Sequence, residues 1–312
     1  MFNLKRPDGP EPEDFHLSRR GALAGAFFAG YAVAAFSADA DPIHTDEAGL
    51  ITAKVDLSSG IPAYVARPAG PGRHPAVLVV SEIFGVHEYI RDVCRRFAKL
   101  GYVAIAPAFF VRVGDPAPMP MSQMGDIMKI VSAAADPQII RDVDAAVTWL
   151  KAQRFVDKAR MAVTGFCWGG RVTWLACEEF PDFKAGAAWY GQLEPVEGRP
   201  ADESRLYPVK LAAQLKAPVL GLYAGQDPLS KGIPDMKAAL AAAGKTGSDF
   251  IVYPDASHGF HADYRPSYNE ADAKDGWTHL LAFFAANGVG PGTTASHRSA
   301  GLRTHPAVAA KG

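Results

Sequence analysis

The sequence predicts an α/β fold: a mostly parallel sheet with helices on both faces, in a single domain. Two observations predict it. Short apolar runs such as Pro75–Ser81 and Tyr102–Ala106 read as strands buried on both faces. These runs alternate with longer segments of helical periodicity along the whole chain, the pattern of βαβ units.

In order, residues 50–57 and 61–67 are β-like runs flanking Ser58-Ser59-Gly60, which makes a hairpin. Residues 75–81 form the first fully apolar strand. In residues 87–100, Tyr89, Val93, Phe97 and Leu100 share one stripe, and Gly101 ends the helix. Strand 102–106 follows. Residues 107–136 are rich in Pro, Met and Gly and read as an irregular excursion with short helices. The segment 137–154 is amphipathic, with Ile140, Val143, Val147 and Leu150 on one face. Strand 160–166, helix 168–180 and strand 184–190 come next, then a long loop over 191–215. Strand 218–224, helix 234–243, strand 250–253 and helix 269–286 complete the domain.

The ends differ from this core. Residues 1–40 carry Ser18-Arg19-Arg20, an apolar small-residue stretch from Gly21 to Ala38, and the small-x-small pattern Ala38-Asp39-Ala40. The pattern resembles a twin-arginine export signal, although Ala22 stands where a bulky residue usually lies. It implies a periplasmic protein with a mature N-terminus near Asp41 and no stable membrane anchor after cleavage. The alternative is a cytoplasmic protein with an apolar tail. The folded domain is expected over 41–287, with a disordered tail over 288–312.

Composition narrows the function. A formal net charge of -1 offers no field for nucleic acid or an anionic membrane. The three cysteines, Cys94, Cys167 and Cys177, include no Cys-x-x-Cys pair, and the histidines lack metal-ligand spacing. No metal or cofactor is expected. The implied partner is a small molecule, met by a monomer or small homo-oligomer.

The strongest local signal is Gly165-Phe166-Cys167-Trp168-Gly169-Gly170, between a predicted strand and a predicted helix. This is the context of a nucleophile elbow, in which residues two before and two after the nucleophile must lack side chains. A helix starting at the thiol also favours the thiolate. A lone buried cysteine is usually inert; the flanking glycines set Cys167 apart. An acid and a base follow in the order this elbow requires. Asp227 ends an apolar strand, and His258 lies in a loop just after another. Each is bland alone, as a turn aspartate before proline or a loop histidine. Asp255 is a rival acid, but sits only three residues before His258. The oxyanion donors should be the N–H groups of Trp168 and Ile83. Glu82, at the end of an apolar strand beside the thiol, could hold or take the thiol proton.

At these residues the chain resembles the dienelactone hydrolase (carboxymethylenebutenolidase) family of the α/β-hydrolase fold. The resemblance covers roughly residues 50–287. It rests on Ser81-Glu-Ile-Phe-Gly-Val, Gly165-Phe-Cys-Trp-Gly-Gly, Tyr190-Gly191, Gly225-Gln-Asp227 and Ser257-His258-Gly-Phe. It implies hydrolysis of a lactone or carboxylic ester through a Cys-His-Asp triad and an acyl-enzyme, with Glu82 taking the thiol proton when substrate binds. Family members grip a substrate carboxylate with two arginines. One lies four residues after the catalytic histidine, where this chain has Ala262, so Arg265 is the nearby substitute. Arg112 and Arg141 are candidates for the other. Tyr190, Trp189 and Phe110 are candidate substrate contacts. A thioesterase or peptidase on the same fold, and a non-catalytic small-molecule binding module, are the competing readings.

Overall fold

The computed structural model describes residues 42–196, 202 and 204–291. The export segment and the tail beyond residue 291 lie outside the described residues. Eight strands form one sheet in the order β1-β2-β4-β3-β5-β6-β7-β8. They are β1 Leu50–Asp56, β2 Pro62–Pro68, β3 His74–Val80, β4 Val103–Pro107, β5 Val156–Phe166, β6 Phe183–Trp189, β7 Val219–Ala224 and β8 Asp249–Tyr253. The β1–β2 hairpin pairs antiparallel, as does β2 with β4. The pairings from β4 through β8 are all parallel. This is the mostly parallel, helix-covered sheet that strand–helix alternation predicts, and it has the form of the α/β-hydrolase fold that the family resemblance implies.

The helices are α1 Glu88–Lys99, α2 Met124–Ala133, α3 Asp136–Ala152, α4 Trp168–Glu179, the single turn α5 Pro208–Leu211, α6 Ile233–Ala242 and α7 Glu270–Ala286. The strand period of two divides the core into two layers. On β3, Ala76, Leu78 and Val80 face one layer with α3, α4 and α6. Val77 and Val79 face the other layer with α1 and α7. The central strands are apolar on both sides because both faces are covered. Among the described residues, no helix is long and apolar enough to cross a membrane.

Packing continues slightly past the expected end of the domain. Val289 is fully buried, and Arg160 Nη1 donates to the Gly290 carbonyl at 3.0 Å. An apolar side chain and a paired carbonyl hold residues 288–291 against the fold, despite their glycine-rich composition.

Candidate active site

The parallel strands deliver the chemistry-bearing residues at their C-terminal ends, the usual place for ligands in open α/β sheets. Cys167 sits between β5 and α4 with φ 57° and ψ -115°, a left-handed conformation that non-glycine residues rarely adopt. The turn is closed by Cys167 N–H donating to the Trp189 carbonyl at 2.9 Å. Its glycines are required by space. A Cβ on Gly165 would lie 2.2 Å from the Gly169 carbonyl oxygen, and one on Gly169 would lie 2.3 Å from the Val80 oxygen. Gly170 and Gly191 meet with similar closeness, so the elbow and the residue after Tyr190 interlock. Trp168 begins α4, so its N–H has no partner within the helix.

The candidate base and acid arrive from neighbouring strands. Asp227 follows β7 and His258 follows β8. The two loops are tied by Gly225 N–H to the Tyr253 carbonyl at 2.7 Å and Gln226 N–H to the Ala256 carbonyl at 3.0 Å. A Cβ on Gly225 would strike the Pro254 oxygen at 2.4 Å, so the close approach needs glycine there. His258 Nδ1 is 2.5 Å from Asp227 Oδ2, and both residues are buried. Asp227 Oδ1 also accepts from Leu229 N–H at 3.1 Å, so one carboxylate both caps the turn and meets the imidazole. The rival Asp255 is exposed. Burial alone would lower the His258 pKa. The Asp227 and Cys167 charges, with hydrogen bonds from both, outweigh it and push the imidazole up to about 10. The ring is thus held toward its charged form by Asp227 and Cys167.

Glu82 follows β3 and is fully buried. Its Oε2 accepts from the Tyr264 hydroxyl at 2.6 Å, and Arg265 Nη1 lies 3.3 Å from Oε1. Ile83 occupies the next position and is buried. Neither its N–H nor that of Trp168 donates to a backbone carbonyl among the described residues.

The expected substrate contacts separate into three groups. Tyr190, at φ 39°, packs edge-on against His258 with ring centroids 4.9 Å apart. Phe110 packs on Trp168 at 4.7 Å, and Phe109 on the same indole at 5.8 Å. Trp189 points the other way. It lies in the α1/α7 layer, 4.4 Å from the His261 ring, and a Cβ on Gly276 of α7 would be 2.8 Å from its indole. As the last residue of β6 it obeys strand alternation, which directs it away from Ala188 and into the core. Arg265 is 2% exposed, and its guanidinium pairs with Glu82 at 3.3 Å. Arg112 is bound through both terminal nitrogens to Asp142 at 2.7 and 2.8 Å, and Arg141 is exposed beside Gln138.

Two features were not legible in the sequence. One is the Tyr264 contact to Glu82. The other is a buried support for the loop after His258, where Tyr89 Oη meets His261 Nδ1 at 2.6 Å and Arg96 pairs with Asp263 at 2.5 Å. Both lie in irregular backbone, where no periodicity shows direction. The run Phe260-His-Ala-Asp-Tyr-Arg265, dense in polar side chains yet next to an apolar strand, is the signal that could have marked them. Among the described residues, no group of three or more His, Cys, Asp or Glu side chains is arranged to hold a metal ion.

Comparison with known proteins places this fold in a family. Residues 61–288 match the model of the dienelactone hydrolase family. A protein of Methylorubrum extorquens, provisionally named a carboxymethylenebutenolidase, is 49% identical over 285 residues, covering 88% of this chain and 94% of that one. A Bradyrhizobium protein assigned as a 2-oxo-3-(5-oxofuran-2-ylidene)propanoate lactonase is 32% identical, covering 71% of this chain and 87% of that one. The crystal structure of a provisionally assigned dienelactone hydrolase from Klebsiella pneumoniae superposes with TM-score 0.70 at 45% identity. It covers 76% of this chain and 98% of that one.

Proposed function

The chain belongs to the dienelactone hydrolase family, and from that membership and the geometry above we propose that it hydrolyses a lactone or carboxylic ester through Cys167, His258 and Asp227. The observation that carries the reading is the His258 imidazole, bound to Asp227 at 2.5 Å and charged under the influence of both Asp227 and Cys167.

The residues act as follows. The thiol proton moves to Glu82, leaving a thiolate beside the His258 imidazolium at the start of α4, where the helix dipole favours negative charge. The thiolate attacks the substrate carbonyl. The N–H groups of Ile83 and Trp168 receive the oxyanion, a contact worth about 3–4 kcal/mol per donor in comparable sites. The C–O bond to the leaving oxygen breaks as His258 donates a proton to it. In a lactone this opens the ring and leaves the product tethered as a thioester on Cys167. Water attacks the thioester as His258 takes its proton, and the C–S bond breaks as the sulfur recovers a proton from Glu82, which restores the enzyme. Asp227 holds the imidazole in one orientation and balances its charge.

Stoichiometric iodoacetamide labelling tests this. Modification of Cys167 should abolish hydrolysis of p-nitrophenyl acetate and cis-dienelactone, and Cys167→Ala should lack both activities. Hydrolysis at the wild-type rate by Cys167→Ala would sink the triad. Export is a second proposal, supported by the Arg19-Arg20 pattern. It requires a mature N-terminus near Asp41 in the periplasmic fraction, and an intact N-terminus in the cytoplasm would refute it.

A further inference from the structure

Glu82 stands beside the nucleophile turn. The Ser81 carbonyl oxygen lies 2.6 Å from where a Cβ on Gly169 would be, so the end of β3 abuts the elbow. The electrostatic influence of Cys167 reaches Arg265, the partner of Glu82, across the same buried space. A fully buried carboxylate must be satisfied by donors, and its direction is set by where they are.

Both donors come from the loop that carries His258. The Tyr264 hydroxyl donates to Oε2 at 2.6 Å, the closer and better-defined contact, while Arg265 holds Oε1 at 3.3 Å. Gly259, at φ 83°, lets the loop pass: a Cβ there would be 2.7 Å from Arg265 Nη1. The Tyr264 ring is fixed in turn. It lies edge-on to His87 with centroids 4.9 Å apart, tilted on Tyr89 at 5.3 Å, and edge-on to Phe84 at 6.4 Å. Burial, with the charge of Glu82, keeps the Tyr264 hydroxyl protonated and therefore a donor. Each carboxylate oxygen retains further acceptor capacity. Glu82 can thus accept from the Cys167 thiol without leaving either donor.

We propose that Tyr264 is a positioning residue, whose hydroxyl holds the Glu82 carboxylate in the orientation from which it serves the Cys167 thiol. This rests on the reading of Cys167 as nucleophile and Glu82 as its partner. It also assigns Arg265 to Glu82 rather than to a substrate carboxylate.

A double-mutant cycle tests it, since coupled residues lose additivity. Tyr264→Phe keeps the ring and its packing and removes one oxygen. Wild type, Tyr264→Phe, Glu82→Gln and the double variant are compared on p-nitrophenyl acetate, which is uncharged, and on cis-dienelactone, which bears a carboxylate. The expected result is a fall in kcat of roughly tenfold for Tyr264→Phe on both substrates with KM within about twofold, because the group aims another residue and does not bind substrate. On the Glu82→Gln background the same change should cost less than about twofold. The rate of Cys167 alkylation by iodoacetamide supplies the same cycle without turnover. An equal loss on both backgrounds would show a merely structural role and overturn the proposal. So would a loss confined to KM for the carboxylate substrate, or no loss while Glu82→Gln is impaired. If Glu82→Gln keeps wild-type turnover and alkylation, the role of Glu82 falls and the proposal with it. That outcome is distinct from failure of Tyr264 alone.

Discussion

Gly169→Ala is a demanding perturbation because it adds a single carbon at the tightest point of the elbow. The new Cβ would lie 2.3 Å from the Val80 oxygen and 2.6 Å from the Ser81 oxygen. A relaxed C···O contact is about 3.3 Å. Either α4 or the end of β3 must therefore move by roughly 1 Å. Neither neighbour is a flexible side chain; both are backbone in the centre of the sheet. Forced overpacking of this kind costs about 1–3 kcal/mol, or a fall in Tm of about 2–10 °C for a domain of this size. The displacement falls on Trp168 N–H and Glu82 together, and 1 Å of misplacement at a reacting centre costs about 10²-fold. Thermal unfolding and kcat/KM on p-nitrophenyl acetate measure the two effects. Gly125→Ala is the control. It lies in α2 with nothing within 4 Å of the added carbon, and should leave activity unchanged and stability equal or slightly higher. A Gly169→Ala protein with wild-type Tm and kcat/KM within twofold would refute the steric account of the elbow.

Other outcomes follow from the same structure. Asp227→Asn should cut kcat by about 10²–10⁴-fold, because it removes the charge that supports the imidazolium and the acceptor that fixes its ring; a loss under fivefold would contradict that role. The His258 pKa is raised in the fold, from an ordinary 6.5 to about 10. Its stabilising contribution is therefore complete below pH 6.5 and is lost as pH rises through 10. Denaturant melts of wild type should weaken across that window more than those of His258→Gln, and parallel curves would refute the shift. Asp136 is buried against Arg171 at 2.7 and 2.8 Å, Arg205 at 3.2 Å and Leu206 N–H at 2.6 Å. Asp136→Ala strands two guanidinium groups and should cost about 3–5 kcal/mol in urea unfolding; a loss below about 1 kcal/mol would contradict it.

The fold was readable because its strands are apolar on both faces and its helices keep their stripes. Predicted and observed bounds differ by a residue or two for most elements, and β5 begins four residues before its predicted start, at Val156. The elbow was readable for a different reason. Gly165, Gly169 and Gly170 are demanded by backbone contact, so steric necessity leaves a mark in the sequence. The order of Asp227 and His258 followed from strand ends. What failed was direction. Trp189 was read as a substrate contact from its place beside Tyr190, yet strand alternation sends it into the α7 layer. Arg265 was read as a substitute for a missing cation from proximity in sequence. The structure closes it onto Glu82, a contact across 183 positions that no local pattern encodes. Tyr264 was missed for the same reason.

The central claim is that Cys167 forms a thioester with the acyl part of the substrate. Intact-mass analysis after rapid mixing of the protein with p-nitrophenyl acetate tests it most directly, followed by acid quench and peptide mapping. The account predicts one acetyl group per chain, on the peptide containing Cys167, released by hydroxylamine, and absent from Cys167→Ala. An unmodified chain that turns the ester over, or an acetyl group on any residue other than Cys167, would contradict it.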